Sequence, residues 1–132
     1  MMPTISIDIR KKYPREIEIM LINAVYIACK HAFKLPDHDR DIRLNIHEPH
    51  LFLCPTNLTQ PEYFTLIQID CFLGRSVEVK RTLYQSIIQN LSALNIPHDH
   101  IKILVRELPT ENWGIRAGQA ACDVNLGFNI QI

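Results

Sequence analysis

Two short segments, Leu35-Pro36-Asp37-His38-Asp39 and Ile96-Pro97-His98-Asp99-His100, stand 61 positions apart, and Pro49 and Pro109 stand 60 apart. The same order of local patterns surrounds both. Thr4 to Arg10 alternates, with Ile5, Ile7 and Ile9 on one side and Ser6, Asp8 and Arg10 on the other, as a half-buried strand does. Pro14 suits the first turn of a helix, where its missing N–H costs nothing. A helical stripe follows at Ile17, Met20, Leu21, Ala24, Val25, Ala28 and Ala32, with Lys30, His31 and Lys34 near its negative end and Pro36 as a stop. Ile42, Leu44 and Ile46 alternate again. After a loop from Pro49 to Pro61, the series repeats. Tyr63 to Phe72 reads as a strand, and Ser76 as the N-cap of a helix with the stripe Val79, Leu83, Ile87, Leu91 and Leu94. Asn95 suits a left-handed C′ position, Pro97 stops the chain, and Ile101, Ile103 and Val105 form a further strand.

A duplicated β-α-β unit of this length closes as a right-handed crossover with parallel strands. The expected architecture is therefore α/β in its units and α+β overall: a four-stranded sheet with both helices on one face, plus a C-terminal strand from the alternation Val124, Leu126, Phe128, Ile130 and Ile132. The expected organisation is one domain over residues 1–132. Its first repeat covers about 3–49, its second about 63–109 and its final strand about 123–132, a length suited to a single domain.

Composition narrows function by exclusion. Apolar residues make up 47% and charged residues 21%, a globular balance. Fourteen basic and fourteen acidic residues cancel, so nucleic acid is not an expected partner. No run approaches the roughly eighteen apolar residues of a membrane span. Met1-Met2-Pro3-Thr4 lacks the basic and apolar regions of a signal peptide, and Cys29, Cys54, Cys71 and Cys122 read as reduced thiols. The expected location is cytoplasmic. His47-Glu48-Pro49-His50 has the wrong spacing for a metal helix, and His98-Asp99-His100 lacks nearby ligands, so these are expected to be surface histidines.

Four segments carry a resemblance. Gly74-Arg75-Ser76-Val77-Glu78-Val79-Lys80 is similar to the Gly-Arg-Ser-x-x-x-Lys segment of the 4-oxalocrotonate tautomerase family, and Pro3 resembles its amino-terminal proline. Asn112-Trp113-Gly114 resembles a segment of its longer, duplicated members, which include malonate semialdehyde decarboxylases. Asp37-His38-Asp39-Arg40 resembles the Asp-Arg pair of those decarboxylases. The resemblance implies a trimeric tautomerase fold and a tautomerase, isomerase or related lyase without cofactor or metal. Its substrate would be a small carboxylate, a 2-oxo or 2-hydroxy-dienoic acid.

The resemblance also implies roles. Pro3 would be the general base and acid, since a free secondary amine can lift a proton beside a carbonyl and return it elsewhere. Arg75 would bind the carboxylate through paired hydrogen bonds, helped by the positive end of the helix starting at Ser76. Asp39 would join the catalytic group, and Arg116, Arg43 and Trp113 would contact substrate. Arginine is missing two positions before Arg75, where Leu73 stands; Arg116 or Arg43 would have to replace it. If a residue precedes Pro3 in the mature chain, as Met2 does in the sequence, its nitrogen is an amide without a basic lone pair. The alternative is thus a non-catalytic homotrimer serving in binding or structure. Assembly is expected for a second reason: Ile5, Ile7, Ile9, Ile101, Ile103 and Val105 exceed what two helices can cover, so a sister sheet should cover the rest. Leu51-Phe52-Leu53 is expected at a subunit contact or beside the pocket.

Overall fold

The alternation at Ile5, Ile7 and Ile9 produces strand β1 (Thr4–Ile9), and the stripe after Pro14 produces helix α1 (Arg15–Phe33). The chain was analysed as a computed structural model, which describes residues 3–127. Pro14 stands just before the helix as its cap residue, and Lys34 ends it in a left-handed conformation, φ 55°. Strand β2 (Ile42–Ile46) returns parallel to β1. The Pro49–Pro61 loop contains two single turns of 3₁₀ helix. Strand β3 (Thr65–Phe72), helix α2 (Val77–Ser92) and strand β4 (Ile101–Leu108) repeat the unit, with β4 parallel to β3. Ser76 caps α2 by accepting a hydrogen bond from the Val79 amide at 3.2 Å. Asn95 is left-handed as anticipated, φ 63°, and matches Lys34 in the first half.

The two halves meet through β1 and β3, which run antiparallel, giving the sheet order β2-β1-β3-β4. Both helices lie on one face. Leu21, Val25 and Cys29 of α1 and Leu83, Ile87 and Leu91 of α2 occupy equivalent positions 62 residues apart, and all are buried. The strands contribute Ile5, Ile7, Ile9, Ile67, Ile69 and Cys71 to the same core, with Ile101, Ile103 and Val105 packed against it. The stripe differs at Met20, which is exposed, while Tyr26, Cys29 and Phe33 take buried places.

This placement corrects one expectation. The six apolar residues of β1 and β4 all face the helices, and none is left for the opposite side. Directly paired residues share a face, so that side carries Arg43 and Asn45 on β2, Thr4, Ser6 and Asp8 on β1, Leu66, Gln68 and Asp70 on β3, and Lys102, Leu104 and Arg106 on β4. It is mainly polar, with Leu104 45% exposed among the polar groups. Arg43 donates to Thr4 at 3.5 Å, Asn45 to Ser6 at 3.0 Å, and Asp8 shares a 2.7 Å bond with His47, a row of cross-strand pairs.

Beyond β4, an unanticipated hairpin forms from β5 (Gly114–Ile115) and β6 (Gln119–Ala120). The C-terminal strand expected at about 123–132 lies largely outside the described residues; Val124 to Gly127 is not in a strand. His100 is also corrected. It is 1% exposed, and its Nε2 accepts a hydrogen bond from the Gln60 amide at 3.0 Å.

Candidate functional site

The left-handed end of α1 turns the chain so that Lys34 to Asp41 runs across the sheet end where β1 begins. Leu35 donates to the Lys30 carbonyl, Asp39 to that of Pro36, and Ile5 to that of Asp41, at 3.1, 3.0 and 2.9 Å. These bonds set the link beside Pro3, which is buried. The hairpin approaches from the other side, tied by the Ala121 amide to the Trp113 carbonyl at 2.8 Å. Between them lies a cavity of about 780 Å³, whose lining includes Pro3, His38, Asp39, Trp113, Arg116 and Leu126. That volume falls in the range of small-ligand sites, roughly 300–1,000 Å³.

Arg75 stands three residues past the end of β3, and only 6% of its surface is exposed. Gly74 makes the bend with φ 123°, a conformation that side chains disfavour. One guanidinium nitrogen of Arg75 donates to the Phe72 carbonyl, and the group lies 4.5 Å above the Phe33 ring. Its Nε and Nη2 have no hydrogen-bond partner among the described residues. Burial pushes the Arg75 pKa below its ordinary value, while Cys71, Glu107 and Asp39 act in the opposite sense. Asp39 is thus electrostatically linked to Arg75. Trp113 meets Phe72 edge-on at 5.1 Å, and its Nε1 is buried without a partner among the described residues. Buried donors of this kind call for an anion or carbonyl ligand.

Of the residues anticipated for the site, Pro3, Asp39, Trp113 and Arg116 line the cavity together. Arg75 is not part of that lining; it packs on Phe33 and bonds the carbonyl of Phe72, whose ring meets the cavity-lining Trp113. Arg43 belongs to the polar face of the sheet, away from the cavity. Arg116 donates to the Asn125 carbonyl at 2.9 Å, fastening the hairpin to the segment that carries Leu126. The turn just before α2 does not offer its amides to a ligand, because Glu107 accepts hydrogen bonds from Gly74 and Arg75, both at 3.1 Å. His38, Arg40 and Asp41 also line the cavity. Arg40 was visible only as the second half of the Asp-Arg pair, and His38 and Asp41 carried no signal beyond adjacency to Asp39.

A family profile described as "Tautomerase enzyme" matches residues 39–116, more than half of the chain. The chain belongs to the tautomerase family. Its match takes in Asp39, Arg75, Trp113 and Arg116, while Pro3 precedes it. Solved structures agree in fold. A native fused 4-OT superposes with a TM-score of 0.81 at 19% identity, covering 95% of this chain and 99% of its own. FG41 malonate semialdehyde decarboxylase, inhibited by 3-bromopropiolate, gives 0.79 at 23% identity, covering 89% and 92%. A fused 4-OT described as a symmetric trimer gives 0.75 at 20% identity, covering 90% and 96%. No curated protein matches this tautomerase in sequence.

Proposed function

We propose that this tautomerase acts without a cofactor on a small 2-oxo or 2-hydroxy-dienoic acid, with Pro3 as general base and acid and Arg75 as carboxylate anchor. The observation that carries this reading is the meeting of Pro3, Asp39 and Trp113 around one cavity, with a buried arginine linked to it through Phe72 that has two nitrogens unpartnered among the described residues. The amine of Pro3 takes the proton of the substrate's 2-hydroxyl group as the C2 carbonyl forms. The resulting ammonium returns a proton to a carbon along the chain. Arg75 holds the carboxylate, Asp39 orders the polar end of the site, and Trp113 and Arg116 bound it. This chemistry requires Pro3 to be the amino terminus of the mature chain, because an acylated proline nitrogen has no basic lone pair.

The proposal includes one folded domain and self-association as a homotrimer, supported by the trimeric fused 4-OT relative. The test is ketonisation of phenylenolpyruvate or 2-hydroxymuconate by protein whose intact mass shows Pro3 at the terminus. Pro3→Ala is expected to lower kcat by about 10²–10⁴-fold, the usual contribution of a general base. A second reading, a non-catalytic binding protein on the same fold, is favoured by Leu73, an exposed residue where the resemblance has arginine. Retained ligand binding without turnover by the Pro3-terminal protein would select it.

A further inference from the structure

We propose that Glu107 is a positioning residue: it plugs the anion site at the start of α2 so that a substrate carboxylate is directed to Arg75 alone. This rests on the reading of Arg75 as carboxylate anchor.

The turn after β3 would otherwise make an anion cradle of its own. The amides of Gly74 and Arg75 point together at one spot, the helix dipole is positive there, and Lys80 lies one turn into α2. Glu107, near the end of β4, fills that spot. One carboxylate oxygen accepts from both amides at 3.1 Å, and the other pairs with the Lys80 ammonium. Its side chain is 17% exposed, so the pair is partly shielded from water. The neighbouring residue continues the clasp, as the Leu108 carbonyl accepts from the Leu73 amide at 3.1 Å.

Two consequences follow for Arg75. First, its backbone is held at the bend, so the side chain must return over Phe33 toward the Phe72 carbonyl. Second, three positive features of the turn are already satisfied internally. The unsatisfied positive group is the guanidinium, with Nε and Nη2 unpartnered among the described residues. Removing Glu107 would release a competing site a few residues away and loosen the anchor at once.

The test uses full-length protein and pyruvate as the probe, followed by the fluorescence of Trp113, the single tryptophan of the chain. Binding read this way does not depend on turnover. Glu107→Ala is expected to weaken pyruvate binding about tenfold, as the loss of charge-assisted hydrogen bonds does. Added formate distinguishes positioning from a general structural role. In Glu107→Ala it should refill the cradle and strengthen pyruvate binding, whereas in the wild type it can only compete and weaken it. Arg75→Ala should lose pyruvate binding, and removing Glu107 as well should cost nothing more. Unchanged pyruvate affinity in Glu107→Ala, or formate that weakens both proteins alike, overturns the proposal while leaving Arg75 as the anchor. If the wild type does not bind pyruvate, or Arg75→Ala binds it equally well, the reading of Arg75 falls and this proposal with it. Should Glu107→Ala fail to fold, the isosteric Glu107→Gln carries the comparison: severalfold weaker binding supports the proposal, and wild-type affinity overturns it.

Discussion

The Arg75 side chain combines a charge, near-complete burial and, among the described residues, a single hydrogen bond, to the Phe72 carbonyl. A group in that condition destabilises the unliganded fold, because its desolvation is only partly offset by the Phe72 carbonyl, the Phe33 ring and nearby negative charge. Arg75→Met, which keeps the apolar stem over Phe33, is therefore expected to raise unfolding free energy by about 1–3 kcal/mol while abolishing carboxylate binding. Urea unfolding of both proteins checks this, and a less stable variant would mean that the internal contacts of the guanidinium outweigh its desolvation. The thiols give a second residue-level expectation. Burial pushes the Cys29 thiol up to about 12 and Cys71 to about 11, so neither offers thiolate at neutral pH. Cys122 is exposed, so native-state alkylation read by peptide mass should label it well before Cys29 and Cys71. At this scale the sequence was only partly legible. Its types and spacing pointed to Pro3, Asp39, Arg75 and Trp113 through resemblance, but nothing in a lone His100 announces that the Gln60 amide will cover it.

At the scale of elements, period decided what could be read. Strands and helices with four or more turns of pattern stand where the alternation and the apolar stripes put them, within one or two residues. The β5–β6 hairpin escaped because two-residue strands have no period. Its turn also places Arg116 and Ala117 at positive φ, 47° and 66°, where only Gly118 gives a cue. The face of the sheet was misjudged for a related reason: alternation separates two sides but does not say which one the crossover helices will cover. The clasp between β4 and α2 makes an element-level prediction. Burial alone would raise the Glu107 carboxyl, yet hydrogen bonds from Lys80 and the amides of Arg75 and Gly74 hold it below its ordinary value. A depressed folded pKa stabilises above the unfolded value, about 4.3, and that contribution disappears as pH falls through the folded one. The melting temperature of wild type should exceed that of Glu107→Gln at pH 6–8, with the gap narrowing as the pH falls below the ordinary glutamate value, about 4.3. A gap independent of pH would show that the charge is not what stabilises the clasp. In the core between the same elements, Leu83→Ala is expected to cost about 2–5 kcal/mol by denaturant unfolding, since its site is fully buried.

At the scale of the whole molecule, the case for assembly rests more on the loops than on the sheet. The uncovered sheet face is mainly polar and cross-paired, with Leu104 45% exposed on it, whereas Leu51 and Leu53 are 70% and 79% exposed in the proline-bounded loop. Sedimentation is expected to give about three times the chain mass of 15.3 kDa. Leu51→Asp with Leu53→Asp should shift it toward smaller species; no shift would place the contact elsewhere. The duplication carries a consequence for stoichiometry. Counting across the repeat, Thr65 stands where Pro3 stands in the first half, Tyr13 where Arg75 stands in the second, and His100 where Asp39 stands. Thr65 turns its hydroxyl to the Tyr63 carbonyl, Tyr13 packs near Tyr63, and His100 is capped by Gln60. The equivalent set, drawn from both halves, thus has an alcohol for the amine, a phenol for the guanidinium and a latched imidazole for the carboxylate. If Pro3, Asp39 and Arg75 form the proposed site, the repeat supplies one such set per chain and not two, and equilibrium titration should saturate at a single carboxylate per polypeptide.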